Sequence, residues 1–299
     1  GECARLGLKV LPPDVNISNG GFTADNGKIR FGLNAVKNVG RNLIERVVEE
    51  RKEKPYSSLY DFCKRMHGTE LNRRAVECLI KAGAFDGLGA YRSQLMQIYE
   101  KVLDAIANSR KVNVEGQLDM FSMTGGSSGG HPSAIPLPDI PEYSATERMF
   151  MEKETTGLYL SGHPMDAYRE LARNHGAIPI ASVLEDFAQP EGPTRFQDGE
   201  RINLAGVISA AKTKTTKNNS LMAYVTLEDD TGSMELLAFS RVLEESGNYL
   251  QVNLPILVYG RISVRDEKAP QLMCDRVTPL NQVPDQPLHP GNPAEPTGK

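Results

Sequence analysis

Two hydrophobic periods divide the chain. From Leu33 to Ile106 apolar residues recur at helical spacing, and from Arg201 onward they alternate with polar ones, as in half-buried strands. Leu33, Val36 and Val39 lead into a tight Asn38-Val39-Gly40 hairpin. Beyond it Leu43, Ile44, Val47 and Val48 mark one face of a helix that stops near Glu53-Lys54-Pro55. Ser58 and Asp61 have capping-box spacing and open a short helix through Arg65. Asn72 caps the next, whose Val76, Leu79 and Ile80 share a face before Gly83 stops it. A second hairpin, Asp86-Gly87-Leu88-Gly89, precedes a long helix carrying Leu95, Ile98, Tyr99, Val102 and Ile106. Ser144 to Glu147 is another capping box, opening a helix that Gly157 ends, and a further helix is predicted from about Met165 to His175 with Gly176 as its C-cap. Period-two runs at Ile202–Leu204, Val225–Leu227, Leu237–Phe239, Leu257–Tyr259 and Leu272–Cys274 predict five strands. Asp229-Asp230-Thr231-Gly232 makes the turn between the second and third, and a helical piece from Arg241 to Ser246 separates the third from the fourth.

This order predicts a multidomain α+β protein: an all-α tandem helix-hairpin-helix domain over residues 33–111, followed by a five-stranded OB-fold β-barrel over 195–280. Residues 1–32, with turn signals at Asn19-Gly20-Gly21 and Asp25-Asn26-Gly27, read as the trailing edge of a preceding domain. Residues 112–123 are a short peptide, 124–141 a flexible linker rich in Gly, Ser and Pro, and 142–194 a small helical collar. The stretch 281–299, with Pro284, Pro287, Pro290, Pro293 and Pro296, is expected to be disordered.

Composition narrows the function classes. At 299 residues the chain has room for two or three cores, and no apolar run approaches the length of a membrane span. The first residues, Gly1-Glu2-Cys3-Ala4-Arg5, contain neither an initiator Met nor a signal core, so a piece of a longer protein is expected. Cys3, Cys63, Cys78 and Cys274 are scattered without metal-ligand spacing, which points to a reduced, cytoplasmic, metal-free protein. A net charge of −4 argues against a protein that coats nucleic acid by bulk charge, so any such contact is made by local patches.

Such patches are visible. A hairpin like Asn38-Val39-Gly40 aims backbone N–H groups outward at a helix N-terminus, where they can cradle a phosphate beside Lys37 and Arg41. Asn38 stands where the usual helix-hairpin-helix signature has a glycine, and it also tolerates a left-handed backbone. In the second hairpin Gly87 and Gly89 are both present, with Arg92 the nearby cation. A plain αα-turn explains either hairpin alone, and two in tandem favour DNA. In the barrel, Lys212, Lys214 and Lys217 crowd the connection after the first strand, opposite Arg265 and Lys268 between the last two, the loops with which OB-folds grip single strands. Tyr224, Phe239 and Tyr259 are candidates to stack on bases, burial in the barrel being the commoner fate of such residues. No catalytic constellation is present: Asp229-Asp230 reads as a turn, and His163, before Pro164, has no nucleophile placed near it.

Gln117-Leu118-Asp119-Met120-Phe121 offers three apolar anchors and one amide on a Gly-rich leash. The string resembles the peptide by which bacterial polymerases and repair factors bind the sliding clamp. Tandem hairpins, this peptide and an OB candidate, in that order, resemble the C-terminal region of the C-family replicative polymerases, the alpha subunits of bacterial DNA polymerase III. Leu11-Pro12-Pro13-Asp14-Val15-Asn16, Ile80-Lys81-Ala82-Gly83-Ala84-Phe85-Asp86 and Leu160-Ser161-Gly162-His163-Pro164 are also similar to that family. The resemblance implies that residues 1–32 end a fingers domain, and that the clamp (beta subunit), duplex DNA, single-stranded DNA and other holoenzyme subunits are the partners. It further implies that the chain has no catalytic or metal site and no cofactor of its own, the magnesium and dNTP chemistry of the parent polymerase lying upstream of Gly1. A free-standing clamp-binding adaptor and an OB-containing RNA-binding protein are the alternatives.

Overall fold

The computed structural model describes residues 9–114, 135–216, 218–265 and 269–285, with backbone only over 110–114. Two compact units result, one ending at Gly162 and the other beginning at His163.

The first unit opens with a three-stranded sheet of β1 (Val10–Leu11), β2 (Thr23–Asp25) and β3 (Lys28–Arg30), in the order β1-β3-β2. Asn26 (φ 50°) and Gly27 (φ 75°) turn the β2–β3 hairpin, the left-handed pair that a two-residue connection requires. Helices α1 (Arg41–Glu50), α2 (Leu59–Met66), α3 (Arg73–Lys81), α4 (Arg92–Val114) and α5 (Ala145–Thr156) follow. The anticipated caps are in place: Ser58 accepts from the Asp61 N–H, Asn72 from the Ala75 N–H, and Ser144 forms a full capping box with Glu147. The helices bury Leu43, Val47, Phe62, Met66, Leu79 and Ile80 in one core, which also takes in Val15 and Phe31. Val15 and Phe31 thereby tie the stretch before the first helix into the helical unit. Arg51 staples it down by donating to the carbonyls of Val15, Ile17 and Ser18.

Two expectations change here. The helix leading into the first hairpin is a single 3-10 turn, Leu33–Ala35, with extended backbone at Gly32 and Val36 on either side. A Cβ at Gly32 would lie 2.5 Å from the Gly21 carbonyl carbon, so a glycine is required at that close crossing. Residues 135–141, read as part of the flexible linker, dock on the start of α4: Gln94 Nε2 donates to Pro138 O, and Ser93 Oγ donates to Pro141 O.

The expected collar is divided between the units. α5 packs on α3 in the first. In the second, the stretch read as one helix from Met165 to His175 begins as a 3-10 turn, Pro164–Tyr168, and only then becomes α6 (Arg169–Asn174). α7 (Ile180–Phe187), which the hydrophobic pattern had not suggested, buries Ile180 and Val183 in the barrel core. The barrel consists of β4 (Arg201–Thr215), β5 (Leu221–Glu228), β6 (Ser233–Phe239), β7 (Pro255–Ser263) and β8 (Gln271–Pro279), with α8 (Ser240–Ser246) after the third strand. It closes in the order β4-β5-β6-β8-β7, the β6–β8 pair being parallel, and this is the predicted OB-fold.

Candidate nucleic-acid interface

In the first hairpin Asn38 adopts φ 62°, the left-handed conformation that its residue type tolerates. Gly40 is extended and serves as N-cap of α1, so the first-turn N–H groups face outward without a capping side chain. Arg41 is exposed at that end. Lys37 is exposed too, yet its Nζ donates to Glu154 O at 2.7 Å and its backbone N–H to Thr155 O at 2.8 Å, which holds it over the end of α5. The hairpin also has an occupant. A Cβ at Gly40 would meet Glu70 Oε2 at 2.8 Å, and Glu70 Oε1 accepts from Asn42 Nδ2 at 2.8 Å. A phosphate approaching Gly40 has to displace this exposed carboxylate. Arg46, Arg65 and His67 border the same hollow of about 430 Å³. Arg46 belongs to α1 itself, whereas Arg65 and His67 come from a later stretch of the chain and do not stand out in the sequence as part of the hairpin.

The second hairpin requires a correction. Arg92, expected as the cation of this hairpin, is not exposed to meet a phosphate: its side chain is 3% exposed and pairs with Asp86 at 2.7 Å and with the fully buried Glu152 at 3.0 Å. Burial alone would lower the Arg92 pKa, but hydrogen bonds and charge from Asp86 and Glu152 raise it above the ordinary value. Glu152 also accepts from the N–H groups of Leu160 and Ser161. The loop itself is braced from within, since Val15 N donates to Ala84 O, and a Cβ at Gly87 would meet Asp14 Oδ2 at 2.8 Å. Gly89, at φ 80°, remains open.

On the barrel, residues paired across strands share a face. Ala223, Val225 and Leu227 point inward, so Tyr224 and Met222 point outward, with Lys212 opposite Tyr224 and Lys214 opposite Met222. Across β6, Leu237 faces Tyr224 and Phe239 faces Met222. Tyr224 is half-buried and Phe239 is 37% exposed. Two cations thus border an apolar strip on β5 and β6. Tyr259 also lies outside the core but on the β4–β7–β8 side, opposite Asn203 and Arg276. None of the three aromatic candidates is in the barrel core, contrary to the commoner expectation. Arg265 is exposed. Lys217, Lys268 and the peptide Gln117, Leu118, Asp119, Met120 and Phe121 lie outside the described residues.

Other chemistry-bearing groups have structural work. Asp229 accepts from the N–H groups of Thr231 and Gly232 and caps α7 through Ile180 N, as the turn reading requires, and Asp230 pairs with Arg169 at 2.7 Å. His163 Nδ1 accepts from Met165 N, and burial lowers its pKa. Burial pushes the Cys63 and Cys274 thiols up to about 12, far from a reactive thiolate. Among the described residues, no three His, Cys, Asp or Glu side chains gather as metal ligands, and no helix is long and apolar enough to cross a membrane.

Known proteins match both units. The sequence profile of the helix-hairpin-helix motif matches residues 7–95, and that of the OB-fold nucleic acid binding domain matches residues 202–280. The chain is 37% identical over 270 residues to the DNA polymerase III subunit alpha of Saccharopolyspora erythraea, covering 89% of this chain and 22% of that one. Identity is 34% over 268 residues with the subunit of Vibrio cholerae, at 89% and 22% coverage. With that of Deinococcus radiodurans it is 36% over 267 residues, at 89% and 20%. The chain spans about a fifth of the length of these relatives.

Proposed function

We propose that this chain, homologous over nine-tenths of its length to a stretch of the DNA polymerase III alpha subunit, is the nucleic-acid-holding and clamp-tethered part of such a replicative polymerase. The observation that carries the reading is the outward strip of Lys212, Lys214, Tyr224, Met222 and Phe239 on an OB barrel. Bases stack on the apolar strip while the lysines neutralise phosphates, the combination by which OB-folds hold single strands. The helical unit supplies duplex contacts through the Val39 and Gly40 amides, Arg41 and Lys37, with Glu70 displaced by the phosphate. Gln117 to Phe121 provides the tether to the sliding clamp, which keeps synthesis processive. Magnesium, dNTPs and bond formation belong to the remaining four-fifths of the subunit, in the cytoplasm with the other holoenzyme components.

The test is fluorescence anisotropy with labelled oligothymidine and a labelled duplex, titrated with the full chain at several salt concentrations. Both are expected to bind, with affinity falling as salt rises. Replacing Lys212 and Lys214 by Ala is expected to weaken only the single strand. Absence of binding to either oligonucleotide at low salt would refute the reading.

A further inference from the structure

The side of the barrel opposite the β5–β6 strip has its own chemistry. Cross-strand register places Arg201 beside Arg261, and Tyr259 between Asn203 and Arg276. The Arg276 guanidinium lies 5.9 Å from the Tyr259 ring centre, and Arg201 and Arg261 converge on Asp275, at 3.4 and 3.9 Å. Three exposed arginines and one carboxylate leave this face positive within a chain that is negative as a whole. Next to them is a cleft of about 610 Å³ floored by Leu257 and Tyr259 and walled by His175 and Pro284. Its walls are already fixed: Asn203 Nδ2 donates to His175 O at 2.9 Å, and a 2.8 Å hydrogen bond joins His175 Nε2 to Pro284 O.

From this geometry we infer that the β4–β7–β8 face is a second single-strand site, in which a base stacks on Tyr259 under Arg276 while Arg201 and Arg261 take the adjoining phosphates. Base faces stack on tyrosine and on guanidinium planes, and arginine holds phosphate oxygens in a planar fork, so a single-stranded polynucleotide is the ligand that uses all four side chains. A cleft held open before binding spares the ligand the cost of ordering it. The inference extends the proposed single-strand binding to a second face and rests on that reading.

Because the chain contains no tryptophan, a single introduced indole reports on one face at a time. Tyr259→Trp and Tyr224→Trp variants of the full chain are titrated with unlabelled oligothymidine, each first checked for a parent-like melting curve. Both emissions are expected to be quenched. Adding Arg261→Ala with Arg276→Ala is expected to shift the quenching midpoint at least tenfold in the Tyr259→Trp protein and less than twofold in the Tyr224→Trp protein. If the indole at position 224 responds and the one at position 259 does not, the second site is wrong and the first stands. If neither responds and anisotropy shows no oligothymidine binding, the proposed function fails and this inference with it. A quenching midpoint of the Tyr259→Trp protein that stays within twofold when Arg261→Ala and Arg276→Ala are added also overturns the second site.

Discussion

Arg92 is the residue at which a nucleic-acid role and a structural role diverge most sharply. Arg92→Met removes the guanidinium but keeps much of the side-chain volume. Asp86, whose side chain is 43% exposed, regains water at little cost, whereas Glu152 is fully buried and keeps only the Leu160 and Ser161 donors. Breaking a buried pair in this way costs about 3–5 kcal/mol, since the remaining charge is desolvated without compensation. For a unit of this size each kcal/mol lowers Tm by roughly 2–4 °C, so the expected loss is about 6–20 °C. Circular dichroism melting measures it. Arg92→Met with Glu152→Met should recover much of the loss, because no unpaired charge is then left inside. Duplex affinity measured well below Tm should be unchanged. A variant that melts with the parent but binds duplex more weakly would show that Arg92 serves the nucleic acid after all.

Other expected outcomes concern the surface and the peptide. Lys37→Ala with Arg41→Ala should weaken all duplexes alike and reduce the salt slope by about one unit per lost contact, read by anisotropy. Glu70→Gln, which leaves the shape beside Gly40 and removes its charge, should tighten duplex binding in the same assay; weaker binding would mean that Glu70 organises the hairpin. A peptide from Val112 to Met123 should bind the sliding clamp by itself. Leu118→Ala with Phe121→Ala in the full chain should weaken clamp binding by two or more powers of ten, at about 1.5–3 kcal/mol per anchor, while leaving the melting curve unchanged. Burial alone would raise the Glu142 pKa, but the N–H groups of Arg92, Ser93 and Tyr143 hold it below its ordinary value. A depressed carboxylate pKa gives stability that is present above the unfolded value and lost as pH falls through the folded one. The helical unit should therefore lose stability in acid below pH 4.5, and Glu142→Gln should flatten that part of the profile.

The helices and the barrel were legible because their signals are local. Asn72, Ser144 and Gly157 act on neighbours within four residues, and an alternating run reveals a strand whatever its partner. Phase was less legible than period. The Leu237–Phe239 run was read in the phase of the outward residues, whereas Leu236 and Ala238 point inward, and Leu257–Tyr259 likewise lies outside Ile256 and Val258. A shift of one residue moves every side chain to the other face, which decides whether Tyr259 stacks on a base or fills a core. Partners distant in sequence were not legible at all. Arg92 read as a phosphate ligand because Glu152, which claims it, lies 60 residues away. Glu70 reaches the first hairpin by a return of the chain that nothing around Gly40 announces.

The central claim is that one chain holds both duplex and single strand, and a primer–template junction tests it most directly. Three labelled substrates, a blunt duplex, an oligothymidine and a duplex carrying a single-stranded overhang, are titrated with the full chain at one moderate salt concentration. If the helical unit and the barrel both grip nucleic acid, the second contact on the junction is made within one complex, and the gain is set by effective concentration. The junction is then expected to bind at least tenfold more tightly than the better of its two parts, and Lys212→Ala with Lys214→Ala should remove most of that gain. A junction bound no more tightly than the duplex or the single strand alone would contradict the account.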